Sequence, residues 1–217
     1  MIRYGEAMKI LVVGASEGTG ALCVTSALAR GHAVSAFSRS PAKLAITHVK
    51  LAKIVGEFHD AASVRGAVAG HDAVVVSAAP KPSAIKDQPD YFSRGTKYCI
   101  DAMKQRGVKR LVVLSAFGVG DREPAAGWLM KTVFIDRLLK GFYRDHDVQE
   151  RMTRESGLDF VIARPTRLTN GAPKGKYIRT AELISVPSSI SRADLASFMV
   201  EACESTIWVG KAVQLGG

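Results

Sequence analysis

Three glycines follow the first apolar run of the chain, which reads KILVV at Lys9 to Val13 and then GASEGTG at Gly14 to Gly20. A turn with so little side chain at the end of a strand lets a ligand approach the backbone. The helix that follows offers free N–H groups and a positive dipole end to an anion. The chemistry expected of Gly14, Ser16, Glu17, Gly18, Thr19 and Gly20 is therefore to hold a pyrophosphate. Their spacing, G-x-x-x-G-x-G, departs from the dinucleotide fingerprint G-x-G-x-x-G, with Glu17 where a middle glycine is common. A turn that merely connects strand to helix is the alternative, and the N-terminal strand–turn–helix context weighs against it.

A second group lies at the end of the second apolar run, in SAFSRSPAK from Ser35 to Lys43. NAD enzymes place a carboxylate there to receive the adenosine ribose hydroxyls. This stretch has none. Ser38, Arg39 and Lys43 instead supply a hydroxyl and two cations suited to a 2′-phosphate, so NADP (NADPH) is the expected cofactor. Proton-transfer groups are harder to find. Tyr-x-x-x-Lys on one helix face lets the lysine lower the phenol pKa for proton donation. No tyrosine of this chain has a lysine four positions on, and Tyr143 has Asp147 there, which would raise a phenol if the two were close.

The elements that must position these groups alternate β-like runs with longer helical patterns. That is the signature of βαβ units and of an α/β, Rossmann-type, doubly wound parallel sheet with helices on both faces. Strands are expected at KILVV, at AVSAF (Ala33 to Phe37), at AKIVG from Ala52, at DAVVVSAA from Asp72, at RLVVLSA from Arg110 and at DFVIA from Asp159. Gly31 and Gly107 sit where helix C-caps belong, and Tyr91, Gly95, Cys99, Ile100 and Met103 recur at helical spacing. SRADLASFMVEAC opens on Ser191 with Asp194 three positions on, a start resembling a capping box. The run from Gly118 to Gly127, rich in Pro, Gly and Ala, is expected to be a mobile loop. A length of 217 residues suits one domain spanning 1–217, with residues 1–8 as a flexible extension.

Composition removes several classes of function. No apolar run reaches the eighteen or so residues of a membrane span, and residues 1–8 lack the apolar core of a secretory signal, so a cytoplasmic protein without membrane association is expected. Cys23, Cys99 and Cys203 are far apart and lack C-x-x-C spacing, which reads as reduced core residues, and no metal site is expected. The net charge of +10 invites nucleic acid, but the basic residues are spread along the chain and no stacking platform interleaves them, so no nucleic-acid partner is expected. One asymmetry remains. Arg164, Arg167, Lys174, Lys176 and Arg179 lie between Phe160 and Ala181 with no carboxylate among them, and are expected to form a basic lip that favours an anionic small-molecule acceptor.

Several stretches together resemble a known family: GASEGTG, AVSAFSRSPAKL, AVAGHDAVVVSAA, GVKRLVVLSAFG and above all DHDVQERMTRESGLDFVIARPTRL with SRADLA after it. They resemble the atypical short-chain dehydrogenase/reductases of the NmrA-like group, and within it the flavin and biliverdin reductases. The resemblance implies that Glu57 and Phe58 contact the adenine, that Ser77, Ala78 and Ala79 border the ribose and phosphates, and that Pro165, Thr166 and Arg167 flank the nicotinamide. It also implies Ser115, at the end of the fifth strand, and His146, near the start of the helix carrying ESGL, as the catalytic pair at the reactive end. Glu17 and Glu57 depart from the family's usual glycine and aspartate. The activity implied is NADPH-dependent hydride transfer to a flat conjugated acceptor such as a flavin, a quinone-like compound or a tetrapyrrole. A catalytically weak NADP(H)-sensing module, also known in the group, is the alternative.

Overall fold

Four neighbouring strands carry apolar residues at consecutive positions because both faces of their sheet are covered. The computed structural model describes residues 7–80, 88–120 and 140–217. Its main sheet contains β1 (Lys9–Val13), β2 (Ala33–Ser38), β3 (Leu51–Val55), β4 (Ala73–Val76), β5 (Arg110–Leu114), β6 (Asp159–Pro165), β8 (Ile178–Thr180) and β10 (Lys211–Gly216), in the order β3-β2-β1-β4-β5-β6-β10-β8. All pairings are parallel except β10 with β8. A separate parallel pair joins β7 (Arg167–Thr169) to β9 (Ser189–Ser191). Among the described residues the α-helices are α1 (Gly18–Ala29), α2 (Ala61–Val68), α3 (Tyr91–Arg106), α4 (Lys140–Arg154) and α5 (Arg192–Glu204).

Alternate strand residues feed two cores. Ile10, Val12, Val75 and Val112 pack with Cys23, Val24, Leu195 and Met199 from α1 and α5. Leu11, Val13, Val74 and Val113 pack on the other face with Val64, Cys99 and Met103 from α2 and α3. At about 1.5–3 kcal/mol for each fully buried aliphatic side chain, these layers dominate the stability of the sheet. All three cysteines are buried and free, and burial pushes the thiols of Cys99 and Cys203 up to about 12. They belong to packing, not to chemistry.

Polar groups fix the ends of the helices. The Asp145 carboxylate, on α4, accepts from the backbone N–H groups of Phe92 (2.7 Å) and Ser93 (3.1 Å), and so caps α3 from another element. Arg110, buried at the start of β5, donates to the carbonyls of Ala202 (3.1 Å) and Ser205 (2.6 Å), placing its charge at the negative end of α5. Ser191 caps α5 through the Asp194 N–H (3.0 Å), as its sequence suggests. The Asp194 carboxylate accepts from Lys174 N–H and Gly175 N–H and so pins the preceding loop. Burial pushes this carboxyl up, but those bonds and the Ser191 hydroxyl outweigh it and leave the pKa lowered.

Some expected boundaries move. β4 stops at Val76, leaving Ser77 to Ala79 outside the strand, and α4 stops at Arg154, so ESGL forms the turn into β6. Gly107 closes α3, whereas α1 is capped by Arg30 with Gly31 following it. Met8 belongs to the fold and not to an extension: it is buried, and its N–H donates to His32 Nδ1 (3.2 Å). Residues 1–6 of the expected extension and 121–127 of the expected loop lie outside the described residues.

Candidate active site

The chain reverses its winding between β1 and β4, and the two strand ends meet there. Gly14 has φ +82°, and a Cβ on it would lie 2.5 Å from Ala78 Cα, so the glycine turn and the segment after β4 touch through their backbones. Gly14 N–H donates to the Phe37 carbonyl (2.9 Å) and Ser77 N–H to the Val13 carbonyl (3.0 Å), tying β1 to both neighbours. Gly18, at φ +57°, has no atom within 4 Å of where a Cβ would stand. The N-cap of α1 is Glu17, which makes no side-chain cap bond. An open glycine thus lies beside helix N–H groups that no side chain caps, while Ser16 is half-buried and Thr19 and Gly20 are buried.

Two hydroxyls flank this turn without partners. Ser38, at the end of β2, and Ser77, just after β4, are 8% and 7% exposed, and the buried Oγ of each lacks a hydrogen-bond partner among the described residues. An unmade bond on a buried polar group costs about 1–3 kcal/mol. Both stand beside β1 at the carboxyl end of the sheet, where such folds take dinucleotides. Gly14, Gly18 and the two serines fit a nicotinamide dinucleotide laid across the strand ends.

Around Ser38 the charges are matched. Arg39 lies 3.8 Å from Glu57 and Lys43 lies 3.2 Å from Glu17, all four side chains largely exposed. Exposed pairs of this kind hold about 0–1 kcal/mol, so a phosphate dianion can take over either cation. The Phe58 ring is buried against the backbone of α3 at Gly95, beside His59 and Tyr91, with ring centroids 5.4 and 5.7 Å away. Its side chain is therefore part of the core. Ala78 is half-buried and Ala79 exposed.

The other end of the site rests on one unusual helix face. The buried residues of α4 are Asp145, His146, Gln149, Glu150 and Thr153, all polar. His146 stacks on Phe92 (3.9 Å, 25°) with Phe142 edge-on at 4.5 Å. Gln149 donates its amide N–H to Thr96 Oγ1 (2.8 Å), leaving Oε1 to accept from His146 Nδ1–H (2.7 Å). Burial lowers the pKa of His146, partly offset by Gln149 and by the carboxylates of Asp145 and Glu150. Glu150 accepts from the Ser115 hydroxyl (2.6 Å) and from Arg164 through Nε (2.9 Å) and Nη2 (2.7 Å). Ser115 N–H and Phe117 N–H donate to the carbonyls of Ala163 (2.8 Å) and Pro165 (3.0 Å). The loop after β5 therefore runs alongside Pro165, which is buried. Thr166 follows, anchored to the Leu215 carbonyl through both its N–H (2.9 Å) and its Oγ1 (3.2 Å), and then the exposed Arg167. Ser115 and His146 thus meet the same helix face through Glu150 and Gln149.

Two of the five cations expected to form a basic lip are paired with carboxylates. Arg164 is buried against Glu150, and Arg179 donates to Glu201 at 2.6 Å; both carboxylates lie on the helices that flank the acid-free stretch, outside it. Arg167, Lys174 and Lys176 remain exposed. Glu150 and Gln149 escaped sequence reasoning because a buried face made only of polar residues leaves no apolar periodicity. Their one signal was the spacing of Asp145, His146, Gln149 and Glu150 on a single helical face.

Comparison with known proteins supports this fold. Residues 14–206 match the NAD(P)H-binding family model. The chain is 30% identical over 204 residues to an uncharacterized chloroplastic protein of Arabidopsis thaliana, covering 89% of this chain and 71% of that one. Among solved structures it resembles a short-chain dehydrogenase/reductase of Veillonella parvula in complex with NADP (TM-score 0.80, 18% identity, 98% and 95% of the two chains covered). It also resembles ChuY, an anaerobillin reductase of Escherichia coli O157:H7 (TM-score 0.76, 22% identity, 96% of each chain covered). At these identities the structures speak for the fold, while the family match spans the glycine turn, the unpaired serines and α4. The chain belongs to the NAD(P)H-binding family of Rossmann-type proteins.

Proposed function

We propose that this protein is an NADPH-dependent reductase that passes a hydride to a flat conjugated acceptor, a flavin, a quinone-like compound or a tetrapyrrole, as in the flavin and biliverdin reductases of the NmrA-like group. The observation that carries this reading is the polar face of α4. No Tyr-x-x-x-Lys pair supplies an acidified phenol, and this helix carries Tyr143, whose pKa burial pushes up, and His146, whose pKa burial lowers. Both shifts oppose proton donation at neutral pH. Reduction of an isolated carbonyl needs a donor at the forming alkoxide. A conjugated acceptor does not, because its anion is delocalised and water can protonate it.

Bound NADPH supplies the hydride. The chain's own part is to bind and orient. Gly14 to Gly20 and the first N–H groups of α1 receive the diphosphate, Ser77 to Ala79 the adjoining ribose, and Ser38, Arg39 and Lys43 the 2′-phosphate. Glu57 and the backbone at Phe58 border the adenine, and Pro165, Thr166 and Arg167 flank the nicotinamide near Ser115 and His146. Exposed Arg167, Lys174 and Lys176 suit an anionic acceptor.

Steady NADPH consumption across a panel of flavins, quinones and tetrapyrroles tests the activity. Tight cofactor binding with no turnover on any of them would overturn it and leave an NADP(H)-sensing module. Cofactor choice is tested by Arg39→Asp, which should weaken NADPH relative to NADH by about 10- to 150-fold, the loss of one charge-assisted bond. An unchanged ratio of the two affinities would exclude Arg39 from the 2′-phosphate site.

A further inference from the structure

Glu150 has no capacity left for a ligand. Oε1 accepts from Ser115 Oγ (2.6 Å) and Arg164 Nε (2.9 Å); Oε2 accepts from Arg164 Nη2 (2.7 Å) and Arg154 Nη2 (3.4 Å). A carboxylate offers about four lone-pair directions, and all four are taken. Glu150 is 2% exposed and Arg164 4%, so neither turns away to solvent. A serine hydroxyl has one proton, and at 2.6 Å from a saturated, buried carboxylate that proton is committed. What Ser115 still presents is oxygen lone pairs.

From this we infer that Ser115 acts as a hydrogen-bond acceptor at the reactive end, its polarity fixed by Glu150 and Arg164 as positioning residues, and that the group it receives is the carboxamide N–H of the nicotinamide. The inference rests on the proposed cofactor. The carboxamide is chosen because the Ser115–Phe117 backbone is hydrogen-bonded along Ala163 and Pro165, the stretch that leads directly into the residues proposed to flank the nicotinamide. The same polarity prevents Ser115 from polarising a substrate carbonyl, which would require the proton held by Glu150. The site thereby selects against simple ketones and aldehydes at the level of one hydroxyl.

The test compares binding of NADP with that of its 3-acetylpyridine analogue, in which a methyl ketone replaces the carboxamide and the N–H is gone while the carbonyl stays. The natural chain should prefer NADP by about 2- to 10-fold, one net hydrogen bond. Ser115→Ala should lose affinity for NADP alone and bring the ratio near one, because the analogue never used the hydroxyl as an acceptor. Glu150→Gln should also erase the preference, since an amide N–H turned toward Ser115 leaves the hydroxyl free to donate. That variant strips the counter-charge from a buried guanidinium, so its folding is checked by thermal melting, and Glu150→Gln with Arg164→Gln in the same chain removes the charge. Equal weakening of both ligands by Ser115→Ala would mean that Ser115 donates, and would overturn the inference. So would a preference that survives Ser115→Ala or a folded Glu150 variant, or a natural chain that binds both ligands equally. Failure of the natural chain to bind either ligand would sink the cofactor assignment instead.

Discussion

An imidazole whose Nδ1–H is held by Gln149 presents Nε2 as a lone pair, and burial that lowers its pKa keeps it so at neutral pH. His146 is thus equipped to receive a proton or shape a cavity, and poorly equipped to donate. We expect His146→Ala to reduce single-turnover hydride transfer by about tenfold, against the 10²–10⁴-fold that loss of a general acid brings. The transfer rate should also stay flat from pH 7 to 8 in the natural chain. A thousandfold loss, together with disappearance of a pH dependence, would make His146 the proton donor. Ser115 and His146 were legible through family resemblance, but the partners that wire them to the fold were not. Ser115 and Glu150 lie 35 positions apart, and Gln149 and Thr96 lie 53 apart, so their pairing depends on how α3 and α4 settle on the sheet.

At the scale of elements, the β1–α1 turn separates two uses of glycine that look identical in sequence. Gly14→Ala forces a Cβ against the backbone at Ala78 and a left-handed φ, so it should cost about 2–4 kcal/mol of stability whether or not cofactor is bound. Gly18→Ala meets no atom, so its stability cost should be about 1 kcal/mol. Its effect should appear in cofactor affinity, about tenfold or more if a diphosphate–N–H contact is lost. Denaturant melts and binding titrations on the two variants check this; equal affinity losses at matched stability would refute the division. β1, β4, β5 and β6 were legible because a sheet covered on both faces writes continuous apolar runs, and β2 and the largely exposed edge strand β3 as short apolar-rich runs between turn residues. β7, β8 and β9 were not, being three residues each with no room for a pattern, and β10 hid because Gln214 interrupts its apolar run.

For the molecule as a whole, the shifted histidines give stability a direction in pH. His71, at the foot of the sheet, accepts from the Ser35 hydroxyl through Nε2 (2.8 Å), and burial lowers its pKa as it does that of His146. The unfolded chain therefore takes up these protons first. Their contribution to stability is complete above pH 6.5 and is lost as pH falls from there toward the folded-state values, levelling off below them. Asp194, lowered in the fold, adds a second loss as pH falls below 3.8. Urea melts between pH 5 and 8 should show the first decline, and replacing both histidines by Gln should flatten it; an unaltered slope would remove them as its source. Asp145 adds an order of events. The first turn of α3 obtains its capping acceptor 52 and 53 residues downstream. At a synthesis rate of about 5–20 residues per second, the first turn of α3 is synthesised about 3–10 s before that carboxylate exists. During that interval its N-terminal amides have only water, and the helix waits at its front edge for a part of the protein not yet made.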